Sequence, residues 1–384
     1  MQSEKSSKNV RIVVLGGYGS MGRIIVRDLS AFAKQVEIVI AGRDEKKARA
    51  FIREVKNPSI EFVQVDVNDV RQTAHALKGA AVCINAVQYE LNEKMMRACL
   101  LAKCHYIDLG GLFHVTRKQL KWSGKFKRAG LLAVLGMGAA PGVTNILAKM
   151  AMDRLDTVEQ IHIRVGGKDF TRMKHPPVIY FPYSPKTVLE EHSIPPMIYT
   201  KGKWKQIPAR SLKEGEDFGG KIGKLTVMAT LHSEVATLPK FKPGIKECTF
   251  QISFPDDFEK KVSFLVEAGF ANPENIDFTS RILSQLPKPG EKPRDIEVLR
   301  SFAVGMKNKK RKTIIVDARF TSNPRWGVGA GDVDTGVPPS IVAQMVAHGT
   351  IGVRGVLPPE QCVPVKPFLR ELERRGMRLK VSSR

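Results

Sequence analysis

The chain has little of what would make it secreted, metal-bound or membrane-spanning. Its five cysteines, Cys83, Cys99, Cys104, Cys248 and Cys362, form no Cys-x-x-Cys pair. An odd, scattered set fits reduced thiols and not a disulfide framework, and it offers no metal site. The longest largely apolar stretch, residues 130–143, is too short and too rich in glycine to span a bilayer, so no membrane association is expected. The first nine residues, MQSEKSSKN, lack the apolar core of a signal peptide. They read as a frayed tail, and the expected location is the cytoplasm. Repeats and low-complexity segments are absent.

Acidic residues are also scarce, with 38 against 62 lysines and arginines, a net charge of +24. The bases are spread through the chain and interleaved with acids, so no specific nucleic-acid partner is expected. The densest run, KNKKRK at 307–312, lies between strand-like segments at 298–304 and 313–320 and reads as a hairpin tip in solvent. A positive field would draw in anions such as a phosphorylated coenzyme or a carboxylated substrate.

What is present begins at residues 10–29, VRIVVLGGYGSMGRIIVRDL. An apolar, β-branched run stops at two glycines, and the period then changes to that of one helix face at Met21, Ile24, Ile25, Leu29 and Phe32. Gly17, Gly19 and Gly22 therefore occupy a strand-to-helix turn. There the first glycine permits the tight turn, the second lets backbone approach a pyrophosphate, and the third lets helix and strand pack closely. Tyr18, Ser20 and Met21 complete the cradle, whose helix-start amides suit phosphate charge.

A second apolar strand at 36–41 leads to Gly42-Arg43, where a dinucleotide domain meets the adenosine ribose. An acidic residue there favours NAD; Arg43 suits a 2′-phosphate, and Gly42 leaves room beside it. The coenzyme expected is NADP, with NAD as the alternative. A third strand at 61–65 runs into Asp66-Val67, where Asp66 either borders the adenine or caps the helix at 70–77. Asn85 and Ala86 end a fourth strand; Asn85 either faces the nicotinamide ribose or merely terminates the strand. Tyr89 opens the next helix. Asp108 closes a fifth strand ahead of two glycines, the position at which open α/β sheets bind ligands. After a sixth strand at 131–135 comes GMGAAPGVTN, in which Gly138 allows close backbone approach to a flat ring.

This alternation predicts a parallel, doubly wound α/β sheet. Beyond it the rhythm changes to many strands and few helices, the expectation for an antiparallel α+β domain, with strands at 160–165, 178–182, 197–199, 224–230 and 249–254. Pro and Gly clusters, the last at 288–293, punctuate it. Residues 334–346 read as helical after their prolines.

Four phrases, LGGYGSMG from Leu15, HYIDLGG from His105, GMGAAPGVTN from Gly136 and GVLPPEQ from Gly355, resemble the saccharopine dehydrogenase family over nearly the full length. The likeness is to the branch that includes lysine 6-dehydrogenase, although Arg43 stands where that enzyme leads one to expect an aspartate. The resemblance implies a Rossmann-type coenzyme domain at 1–145, an inserted mixed-sheet domain at 146–330 covering the cleft, and a segment at 331–384 returning to the first. It also implies chemistry at a carbon bearing nitrogen.

The leading reading is an NADP-dependent oxidoreductase that interconverts amine and imine on a lysine-derived amino acid, a small-molecule substrate. Lysine 6-dehydrogenase activity and a coenzyme-binding regulator without turnover are the alternatives. Amine oxidation needs a base to accept a proton. Asp108, Tyr89, and His232 with Glu234 are the catalytic candidates, His232 being equally readable as a hydrogen-bonded core histidine. A homodimer is expected, because the inserted sheet would otherwise expose an apolar face.

Overall fold

A computed structural model describes residues 9–287 and 289–384. Residues 1–8 of the expected tail and Lys288 of the last Pro and Gly cluster lie outside the described residues. The chain divides into two units, one of residues 1–146 with 334–374 and one of 147–333 with 375–384.

The first unit opens with β1 (Val10–Leu15), α1 (Ser20–Phe32), β2 (Val36–Gly42), α2 (Glu45–Val55), β3 (Ile60–Gln64) and α3 (Val70–Ala76). It continues through β4 (Val82–Asn85), α4 (Asn92–Ala102), β5 (His105–Asp108), α5 (Phe113–Leu120), α6 (Ser123–Arg128), β6 (Leu132–Val134) and α7 (Val143–Met152), the last crossing the unit boundary. Strands this apolar can be buried on both faces only if helices cover both, which is what each crossover supplies. Ile12, Val13, Val14 and Leu15 are accordingly 0% exposed. The strands pair in parallel in the order β3-β2-β1-β4-β5-β6, so the order reverses between β1 and β4. Their carboxyl ends flank the crevice in which folds of this kind bind ligands.

The second unit is built on a long central strand, β7 (Thr157–Asp169). There follow α8 (Pro185–Ser193), β8 (Met197–Thr200), β9 (Lys203–Gln206), β10 (Glu214–Asp217), β11 (Lys224–Ala229), α9 (Glu234–Thr237), β12 (Glu247–Ile252), α10 (Asp256–Glu267), α11 (Ile276–Leu283), β13 (Asp295–Lys307) and β14 (Lys310–Thr321). The sheet is mixed: β12 runs parallel to β7, while β13 and β14 are antiparallel. The basic run spans the β13–β14 hairpin end, with Asn308 and Lys309 as its turn, and there Lys307 and Arg311 pair with Asp156 and Glu159. Residues 178–182, expected as a strand, are none. Prolines at 176, 177 and 182 remove ladder donors, and Ile179 and Phe181 pack instead with Val188, Leu189 and Val262 of α8 and α10. The expectation of few helices missed α10 and α11 for the same reason, since their apolar faces serve this satellite cluster.

The chain then returns. Helix α12 (Ala330–Ala347) starts ahead of its prolines and carries Pro338 and Pro339 inside it, where the sequence placed the helix only after them. Strand β15 (Gly355–Leu357) adds a seventh parallel strand beside β6, followed by α13 (Pro359–Cys362) and α14 (Val365–Arg374). The last strand, β16 (Arg378–Ser383), corrects the expectation that everything after 331 joins the first unit. It pairs antiparallel with β14, because a free sheet edge offers six residues of ladder there. Among the described residues no helix is long and apolar enough to cross a membrane.

Candidate active site

The glycine turn lies at the switch point. Gly16 takes a left-handed backbone (φ +73°), and Gly19 donates to its carbonyl at 2.8 Å before serving as the cap of α1 without a side chain. The first amides of a helix have no acceptor within it, and Gly19 and Ser20 are exposed, with Met21 half-buried beside them. At Gly22 a Cβ would overlap the Gly16 carbonyl oxygen and come within 2.7 Å of the Gly17 Cα. Only glycine lets α1 sit this close to β1. An exposed helix start whose first amides have no acceptor within the helix, behind a tight glycine turn, fits a pyrophosphate. Ala86 closes the far wall: its amide donates to Leu15 at 3.0 Å, and its carbonyl lies 3.1 Å from where a Cβ on Gly16 would be.

Gly42 corrects one expectation. A Cβ there would meet the Tyr18 ring at 2.6 Å, and the Tyr18 hydroxyl accepts from the Asp44 amide at 2.9 Å. The space over Gly42 is thus taken by the Tyr18 ring, so the room expected there is filled, while the Arg43 side chain reaches outward. Arg43 itself is exposed, anchored through its carbonyl to Gln64. Asp66 is also exposed, and its carboxyl is held below the usual range, chiefly by the Asn68 amide, with Arg43 and Lys94 adding to the effect. It does not cap α3. Asp69 does, accepting from Arg71 and Gln72 at 2.8 and 3.0 Å, because Asp66 is already committed to its own turn. Val67 is half-buried and packs against the core of the unit.

Asn85 and Asp108 turn inward. The Asn85 amide donates to Asn92 at 2.9 Å and to the Tyr106 hydroxyl at 3.1 Å, so the reading of a side chain facing a ribose fails and an interior network takes its place. Asp108 accepts from Gly110 (3.0 Å), Gly136 (2.6 Å), Tyr106 (3.0 Å) and Gln119 (2.7 Å). Burial pushes its carboxyl up, and these bonds oppose that shift. A carboxylate has about four lone-pair sites, so Asp108 has none left for a substrate proton. It is a positioning residue that pins the loops after β5 and β6. Gly138, buried, bridges Gly142 in the second of these loops. Tyr89 is half-buried at the start of a short turn before α4.

The second unit brings His232 and Glu234 together, as their spacing suggested, and adds residues the sequence did not disclose. Nδ1 of His232 lies 2.8 Å from Oε2 of Glu234, and Nε2 lies 3.6 Å from Oε1 of Glu191. The imidazole stacks on Phe250 with centroids 3.7 Å apart and planes 8° from parallel. Glu234 and Glu191 are 0% and 3% exposed. Burial would lower the His232 pKa, but the two carboxylates overcome it and raise it to about 9.

Tyr183 donates to Glu191 and stays protonated, its pKa pushed well up by burial, Glu191 and Glu297. Glu297 is itself pushed up to about 7 by burial together with Asp295 and Asp332. Glu191 sits in α8 and Tyr183 just before it. No periodicity marks either residue, since only the tertiary fold carries α8 to the loop after β11.

Residues 12–134 match the family profile described as saccharopine dehydrogenase NADP binding domain, and residues 138–377 that of the saccharopine dehydrogenase C-terminal domain. A carboxynorspermidine synthase of Vibrio cholerae is 25% identical over 89% of this chain and 89% of that protein. A carboxyaminopropylagmatine dehydrogenase of Synechocystis is 23% identical over 95% of this chain and 96% of that one. Among solved structures, apo saccharopine dehydrogenase (L-Glu forming) of Saccharomyces cerevisiae superposes with a TM-score of 0.74 at 16% identity, covering 98% of this chain and 100% of that one, which shows a shared fold.

Proposed function

Because the chain belongs to the saccharopine dehydrogenase family, as an NADP-binding oxidoreductase, we propose that it interconverts amine and imine at a carbon of a carboxylated amine. The observation that carries this reading is the His232 cluster. In a chain of net charge +24, an imidazole is enclosed by two buried carboxylates, with Glu297, Asp295 and Asp332 in the same unit. An acidic setting of this kind favours a cationic amine. The names of both relatives describe carboxylated amines, which widens the substrate class beyond lysine derivatives.

The glycine cradle, Ala86 and Arg43 would hold NADP, which when bound supplies or accepts the hydride. The protein's own part is the proton. Held charged below about pH 9, His232 can donate from Nε2 to a nitrogen that is being reduced, while Glu234 fixes its Nδ1 side. Oxidation of the amine needs the neutral ring, which predominates only above that pH. The reductive direction is therefore the one this arrangement serves at neutral pH.

The test is NADPH oxidation by the purified protein with amino-acid semialdehydes, α-aminoadipate or aspartate semialdehyde, each offered diaminopropane, agmatine, glutamate or ammonia. At least one pair should turn over, with the reductive rate falling as pH rises through about 9. Glu191→Gln should move that limb down towards the ordinary histidine range. His232→Asn should lose turnover while binding NADPH as before. No oxidation with any pair would sink the reading.

A further inference from the structure

The outer strands of the mixed sheet carry a second feature that oxidoreduction does not use. On one face of β14, Ile315, Asp317 and Arg319 alternate, and on the same face of β16 stand Arg378, Lys380 and Ser382. The register sets Arg319 directly opposite Arg378, and Asp317 opposite Lys380. These residues, with Arg300, Arg384 and the turn at Phe218, Gly219 and Gly220, line an open cavity of about 320 Å³ at the surface, in which Arg378, Lys380, Ser382 and Arg384 are exposed.

Of the carboxylates nearby, Asp217 lines the cavity and accepts from the Gly219 amide at 2.8 Å, and the others are paired with arginines. Arg300 binds Asp317 through two bonds of 2.7 and 2.9 Å and also pairs with Glu216, while Arg164 takes Glu214. Arg319, Arg378, Lys380 and Arg384 have no ion pair among the described residues. Like charges directly opposite across a strand pair destabilise it, so the Arg319–Arg378 pairing costs stability unless an anion sits between them.

We propose that this cavity is a binding site for a small linear polyanion of the phosphate class, separate from the coenzyme cradle, which belongs to the other unit. The spacing selects the ligand. Opposed residues across the strand pair start roughly 5 Å apart at Cβ and alternate residues along a strand roughly 7 Å apart at the backbone, so the chain positions of Arg378, Lys380 and Arg384 extend over roughly 20 Å, more than one carboxylate or phosphate covers. A chain of phosphates reaches several. Guanidinium groups, with planar donor pairs, match phosphate oxygens. The volume lies at the small end of the range for small-molecule sites, roughly 300 to 1,000 Å³, which suits a compact ligand.

Calorimetric titration with tripolyphosphate tests the assignment on the full chain saturated with NADPH, at fixed ionic strength. Expected is saturable one-to-one binding that weakens at least tenfold in Arg319→Gln and in Arg378→Gln, both variants keeping the parent affinity for NADPH. ADP and inorganic pyrophosphate, run in parallel, distinguish a nucleotide source from a free one. Absence of binding to the NADPH-saturated chain, or unchanged affinity in both variants, would overturn the proposal. So would a short DNA duplex that binds more tightly than tripolyphosphate and is lost in the same variants, since the surface would then serve nucleic acid.

Discussion

Arg43 follows β2 with its side chain in solvent, close enough to Asp66 to favour that carboxylate, and its backbone carbonyl accepts from Gln64. A guanidinium so placed is free to meet a 2′-phosphate, whereas an aspartate would repel one. NADPH should therefore bind more tightly than NADH, and Arg43→Asp should erase or reverse a preference of about tenfold to a hundredfold. Equal affinities for the two coenzymes in the parent protein, titrated at fixed ionic strength, would refute the assignment. Tyr18 refines the picture, because its ring covers Gly42 and its hydroxyl holds the Asp44 amide. The sequence pattern showed the arginine but not the ring that borders it, since a side chain crossing from the glycine turn to the next strand leaves no local signal.

At the scale of elements, α1 lies against β1 only because Gly22 has no side chain. A Cβ there collides with backbone, the Gly16 carbonyl and the Gly17 Cα, which cannot swing aside as a side chain would. Gly22→Ala should displace α1, destabilise the protein by roughly 1–3 kcal/mol as overpacking does, and weaken NADPH binding at the same time. In Gly19→Ala the new methyl meets only the Gly16 carbonyl, at 3.1 Å. That variant should keep its melting temperature far better. Melting curves beside NADPH titrations separate the two cases, and parent-like behaviour of Gly22→Ala would show the close packing to be unimportant. Here the sequence was a good guide: α1 runs from Ser20 to Phe32, over the residues Met21 to Phe32 whose helical period predicted it. It failed at α10 and α11, whose apolar faces bury in one cluster with α8, and at residues 178–182, whose hydrophobicity serves that cluster and not a ladder.

For the whole molecule, the first unit is completed by chain that arrives after the second. Ser340 donates to the buried Asp28 at 2.7 Å, Asn145 donates to Glu360 at 2.8 Å, and β15 covers the β6 edge. A chain ending at Val333 should therefore bind NADPH weakly or not at all and lose its cooperative melt. A sharp transition with parent affinity would show that the returning segment is dispensable. What the sequence by itself determined was local: strands and helices from apolar period, the turn from its glycines, and Arg43 from its place after a strand. What only the tertiary structure decided was which distant groups meet. His232 acquires Glu191 because the sheet carries the loop after β11 to α8, Asp108 spends its oxygens on loops that fold back over it, and Arg319 faces Arg378 by β14–β16 register. Periodicity records how a residue lies on its own element. Charge, burial and proton affinity depend on neighbours that long-range packing alone brings within a few ångströms.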